Sequence, residues 1–150
     1  TDGHITEEDI VQAIPKTLQD NIFDLTQLIL AKKIDQARDL VKDLTLQGED
    51  EIKLIAIMLG QFRLYTQVKI LQESGQTESQ MVSNLGHYLG RNPNLYQIKF
   101  ALRDTRGLSL HFLQDSIRYL IQADYQIKTG VYEKGYLFEK ALLQIASQLN

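Results

Sequence analysis

Apolar positions along the chain recur at three- and four-residue intervals, with no run of strict alternation, and this period predicts helices throughout. Thr6 followed by Glu7, Glu8 and Asp9 places a hydroxyl and carboxylates at a helix start, where free amides and the dipole favour them. That helix is short and ends before Pro15. Asp20 or Asn21 is expected to cap the next, which carries Phe23, Leu25, Leu28 and Ile29 roughly on one side and closes at Lys32 and Lys33. Ile34, Ala37, Leu40, Val41 and Leu44 then predict a helix over about Asp35 to Leu46, folded back as a helical hairpin and stopped by Gly48.

The segment from Asp50 to about Glu73 is apolar around most of its circumference, through Ile52, Leu54, Ile55, Ile57, Met58, Leu59, Phe62, Leu64 and Tyr65. Such a helix is normally central. A shorter helix is expected over about Glu78 to Leu85, followed by a connection through GHYLGRNPN, with Asn94 as the next cap. Tyr96 to about Thr105 carries Ile98, Phe100, Ala101 and Leu102. Ser109 is placed to cap a long helix striped by Leu110, Leu113, Ile117, Leu120, Ile121 and Ile127. The last helix runs from about Lys134 to Leu149 with Phe138, Ala141, Leu142 and Ile145. The fold class is all-α, a bundle of about seven to eight helices with no sheet.

Composition narrows the function classes. The 150 residues suit one main core, and 43% hydrophobic with 23% charged residues is the balance of a globular domain. No apolar run approaches the roughly 20 residues that span a bilayer, so no membrane partner is expected. The absence of Cys removes disulfides and thiolate chemistry and fits a reducing cytoplasm. A formal charge of −3 disfavours autonomous binding to duplex DNA, which usually needs a positive field. The start TDGHITEED, without Met, suggests a piece of a longer protein.

Candidate chemistry is sparse. His4, His87 and His111 stand in separate segments with no i, i+4 partner among them, so no metal site is expected. The carboxylates Glu7/Glu8 and Glu49/Asp50/Glu51 sit at helix starts, which explains them without a reaction. GHYLGRN lacks the preceding strand and the Lys of a phosphate loop, and no Ser has a nucleophile-elbow context. No catalytic residue and no cofactor is assigned. Interaction chemistry remains: Arg91, Lys99, Arg103, Arg106, Lys128 and Lys134 are interleaved with Tyr88, Tyr96, Tyr125, Tyr132 and Tyr136. A stand-alone helical nucleic-acid-binding domain is the alternative reading, weighed against the acidic balance.

Taken in order, ITEEDI, DNIFDLTQLIL, GEDEIKLIAIMLGQFRLYTQVKIL, NLYQIKFALRDTRGLSLHFLQDSI and ADYQIKTG resemble the C-terminal region of the delta subunits of bacterial DNA polymerase III, components of the clamp loader. The resemblance implies that residues 1–16 are the last helix and linker of an AAA+ lid domain. Residues 17–150 would then form a collar domain that packs beside those of the gamma/tau-type ATPase and delta-prime subunits in a closed ring. It further implies a bacterial cytoplasmic protein without a working nucleotide site. Primer-template DNA would be met only within the assembly, and the sliding clamp through an N-terminal domain that this chain lacks.

In ADYQIKTG, Lys128 lies four residues after Asp124 and can pair with it, while Gly130 suits the left-handed position that ends a helix. By the resemblance, this helix end precedes the loop that approaches the primer-template junction. Tyr132 is therefore the candidate for stacking on an exposed template base, and Tyr96 the second. The central helix with Phe62 and Tyr65, together with the last helix, is the expected interface with neighbouring subunits.

Overall fold

The computed structural model describes residues 17–89 and 95–149, except for the side chains of residues 87–89 and 95–97. Among them are seven helices and no strand: α1 Leu18–Leu30, α2 Ile34–Leu46, α3 Glu51–Glu73, α4 Glu78–Leu89, α5 Leu95–Thr105, α6 Leu110–Lys128 and α7 Lys134–Ser147. The short N-terminal helix expected before Pro15 and the cap expected at Asn94 lie outside the described residues, as do His4 and Arg91.

Helix starts follow side-chain chemistry. Thr17, rather than Asp20 or Asn21, caps α1. Its Oγ1 accepts from the Asp20 N–H at 3.1 Å, while Asp20 Oδ2 accepts from the Thr17 N–H at 3.1 Å. Asp20 thus occupies the third position of a reciprocal capping box, with Thr17 three residues before it. Thr17→Ala is expected to cost about 1 kcal/mol, read as a lower urea midpoint at unchanged m-value. Asp50 Oδ1 accepts from the Ile52 N–H at 2.8 Å at the start of α3, and Ser109 Oγ from the Phe112 N–H at 3.0 Å at the start of α6.

The end of α4 also differs from the sequence expectation. Helix α4 continues past Leu85 to Leu89, taking up GHYL. Leu85 and Gly86 are both buried, so packing offsets the low helix propensity of Gly86.

Three helical hairpins, α1–α2, α4–α5 and α6–α7, surround α3. Helix α3 packs most extensively on α6, then on α5 and α1, with further contacts to α7 and α4. By length and composition alone its 23 residues could cross a membrane. Its Leu54, Ile55, Met58, Leu59, Phe62, Tyr65 and Val68 are instead buried in the domain's own core. They meet Ile22, Leu25 and Ile29 of α1, Leu113 and Leu120 of α6, and Phe138, Leu142 and Ile145 of α7 in one cluster.

A buried polar hub pins three helices. Asp104, at the end of α5 and with its side chain 3% exposed, accepts through Oδ2 from Gln27 Nε2 at 2.7 Å and from Tyr65 Oη at 2.9 Å. Arg103 donates to Oδ1 at 3.0 Å through Nη2 and 3.1 Å through Nε. Burial, reinforced by the Asp104 charge, pushes the Tyr65 phenol well above the usual tyrosine range. The folded state therefore holds the phenolic proton where the unfolded chain releases it, and stability falls as pH rises past the unfolded tyrosine value of about 10. Tyr65→Phe removes this contribution to the alkaline loss, which a series of urea midpoints between neutral pH and pH 11 would detect.

Candidate interaction site

Most side chains of the large apolar type are inside, so the exceptions are informative. Among the described residues Leu46, Ile70, Ile121, Tyr125, Val131, Tyr132, Tyr136 and Leu143 are exposed. Tyr125, Val131, Tyr132 and Tyr136 flank the turn between α6 and α7. Leu46 ends α2, four residues before Asp50. Lys134 Nζ in turn donates to Asp50 Oδ2 at 3.3 Å, bringing the start of α3 to the start of α7. Five of the eight exposed large apolar groups thus gather at one end of the bundle.

The turn is rigidly built. Thr129 closes α6, the Gly130 N–H donates to the Ile127 carbonyl at 3.1 Å, and the Val131 N–H to the Gln126 carbonyl at 3.1 Å. This paired closure requires a left-handed residue, and Gly130 has φ 70°. The tight reversal presents Val131 and Tyr132 outward. Tyr132 is 60% exposed and meets Tyr136, one helical turn on, edge to face with centroids 5.9 Å apart. Tyr125, the most exposed of the three tyrosines, lies on the last turn of α6.

The nearby lysines are engaged. Lys128 Nζ lies 2.8 Å from Asp124 Oδ2, an exposed i, i+4 pair worth a few tenths of a kcal/mol. Lys134 pairs with Asp50, whose carboxyl is held below its usual range first by the Ile52 N–H and then by Lys134. With Glu49, Glu51 and Glu133 alongside, this end offers aromatic faces rather than a strong positive field. Such a surface suits base stacking or protein contact better than phosphate neutralisation.

The remaining sequence candidates fall elsewhere. Phe62 and Tyr65 are 1% and 3% exposed, edge to face at 5.9 Å, and point into the core. The expected interface through these two side chains is corrected, because five helices packed around α3 leave neither accessible to a neighbour. The last helix does present Tyr136 and Leu143 outward, with Glu139 bound to Arg38 of α2 at 2.6 Å. Tyr96 lies in the first turn of α5, and its side chain is outside the described ones. His111 is exposed and 3.1 Å from Asp115; no group of three potential metal ligands exists among the described residues. Leu46 was not a sequence candidate, and no local signal marks it, since its place at the same end of the bundle as the α6–α7 turn is set by tertiary packing.

Comparison with known proteins agrees with this architecture. The family described as DNA polymerase III delta subunit, C-terminal domain, matches residues 19–145. The DNA polymerase III subunit delta of Bacillus subtilis is 33% identical over 141 residues, covering 94% of this chain and 39% of that protein. A solved structure, the Bacillus subtilis DNA clamp loader delta protein, superposes with a TM-score of 0.81 at 33% identity, over 95% of this chain and 40% of that one. This chain thus spans about two fifths of the length of the relatives it matches. With the family match running across α1 to α7 and the same fold in a solved relative, the chain belongs to the family of C-terminal domains of DNA polymerase III delta subunits.

Proposed function

We propose that this domain is the oligomerisation, or collar, domain of a clamp-loader delta subunit, working in the bacterial cytoplasm to hold the ring that loads the sliding clamp during replication. Its neighbours are the gamma/tau-type ATPase and delta-prime subunits. Contact with the sliding clamp is left to the part of the longer protein outside this chain. The domain binds and positions without catalysing a reaction itself, and residues 1–16 belong to the end of the AAA+ lid. The observation that carries the reading is the match of residues 19–145 to the delta C-terminal family.

Within the assembly, the aromatic end is the part that meets primer-template DNA. Tyr132 supplies the stacking face, and Tyr125 and Tyr136 extend the same surface; Tyr96 is the second candidate, from α5. Exposed aromatics with few unpaired cations at this end support contact with an unpaired base over grip on the phosphate backbone.

A stand-alone nucleic-acid-binding role makes a different expectation. Salt-titrated anisotropy of the isolated chain with single-stranded and duplex DNA separates the two. The collar reading expects absent or millimolar binding. Submicromolar binding that falls steeply with salt would instead identify an autonomous binder.

A further inference from the structure

At the far end of α6 from the tyrosines lies a cleft that the aromatic surface does not account for. Helix α6 starts there and α7 ends there, beside the α1–α2 turn. The cleft has a volume of about 480 Å³. Leu30, Leu108, Phe112 and Leu149 form its apolar wall, and Lys32, Ser109 and Gln148 are its polar side chains.

Each of those three offers a hydrogen-bond donor. Gln148 Nε2 is buried and has no partner among the described residues, although a buried amide left unpaired costs stability. The rest of the Gln148 side chain is partly exposed to the cleft, and rotation of its terminal amide presents Nε2 to it. Ser109 Oγ accepts from the Phe112 N–H at 3.0 Å, which leaves its own O–H to donate. Lys32 is exposed, is the one charged residue of the described lining, and has no carboxylate partner among the described residues. Turn hydrogen bonds meanwhile take up main-chain acceptors here. The Leu28 and Ile29 carbonyls accept from the Lys33 and Lys32 N–H, the Thr105 carbonyl from the Leu108 N–H, and the Ile145 and Ala146 carbonyls from the Gln148 and Leu149 N–H. The lining therefore complements an anion that carries an apolar group.

Lys32 also holds a backbone conformation that lysine disfavours. Its φ is 60°, whereas the other described residues with positive φ are Gly48, Gly75, Gly107 and Gly130. Glycine at this closing position of α1 would cost less, so the turn itself does not explain the lysine.

We propose that this cleft captures the C-terminal residue of a partner protein, its apolar side chain against the wall and its chain-end carboxylate taken by Lys32, Ser109 and the Gln148 amide. Ala31, Lys32, Gly107 and Ser109 are exposed, so the cleft is open on one side. Sites for free small molecules bury most of the ligand, whereas a chain end enters such a cleft and leads back out to its own protein. The proposal stands independently of the replication reading.

Amide NMR on the isotope-labelled 150-residue chain tests it, with N-acetyl-leucine as the probe, a C-terminal leucine reduced to its last residue. Saturable shifts are expected at Gly107, Ser109, Phe112, Leu149 and the Gln148 side-chain amide, with dissociation in the millimolar range. N-acetyl-leucinamide, which lacks the charge, is expected to bind at least about 10-fold more weakly; equal binding would overturn the carboxylate's role. N-acetyl-alanyl-alanyl-leucine is expected to bind at least as tightly as the probe, its added residues leaving through the open side. Loss of binding on lengthening would identify a site for small free acids and overturn the chain-end reading. Lys32→Gly and Gln148→Leu are each expected to weaken binding of the probe about 3- to 10-fold while raising the urea midpoint, because one relieves the left-handed lysine and the other removes an unpaired donor. A role confined to folding predicts the reverse, a lower midpoint at unchanged affinity. Unchanged binding in both variants, or no saturable shift in the unsubstituted chain, would overturn the site.

Discussion

Replacing Phe62 with Ala is expected to lower the unfolding free energy of the domain by about 3–5 kcal/mol. The ring is fully enclosed at the middle of α3, against Tyr65 and the side chains that α1, α6 and α7 turn inward. Truncation removes its transfer free energy and leaves a cavity lined by side chains already in place. Against a typical total of roughly 5–15 kcal/mol, the loss is a large share of the stability. Urea denaturation would show it as a lower midpoint at unchanged m-value. A loss below about 1 kcal/mol, accompanied by failure to join the other subunits, would return Phe62 to the surface role that the sequence suggested.

Replacing Tyr132 with Ala is expected to do the opposite: leave stability within about 0.5 kcal/mol and weaken the assembled loader on primer-template DNA. One lost stacking contact corresponds to about 1–3 kcal/mol, or roughly 5- to 150-fold in affinity. The side chain is 60% exposed and its one ring contact among the described residues is the edge of Tyr136, so the core gains nothing from it. Tyr132→Phe keeps the stacking face and should restore most of the affinity. Equal template binding by the Ala variant, in a loader of normal composition, would remove Tyr132 from the DNA contact and leave the aromatic end to a protein neighbour.

These two residues also mark how far the sequence could be read. Helices were legible where one face is apolar: α6 shows its stripe and its Ser109 cap directly. Helix α3 is apolar on most sides, and a helix of that kind reads the same whether five neighbours belong to its own chain or some belong to another protein in an assembly. Only the packing of α1, α5, α6 and α7 on it decides that Phe62 and Tyr65 are interior. The end of α6 was readable because Gly130, Lys128 and Asp124 act locally.

The aromatic end and the Asp104 hub were not legible as units. Lys134 and Asp50 are 84 residues apart, and Gln27 and Asp104 are 77 apart, so each looks like an ordinary polar residue on its own helix. Leu46 lies at the same end of the bundle because the helix that follows it, α3, packs on α6 and α7. The extension of α4 through Gly86 likewise depends on burial that no turn signal reveals.

The central claim is assembly, and it is tested most directly by size exclusion with light scattering. The longer delta subunit, intact or lacking residues 17–149, would be mixed with the ATPase and delta-prime subunits from the same source at tens of micromolar. The intact protein is expected to elute in a stoichiometric ring, and the shortened one to elute apart from its partners. A ring of full mass formed without this domain would contradict the account.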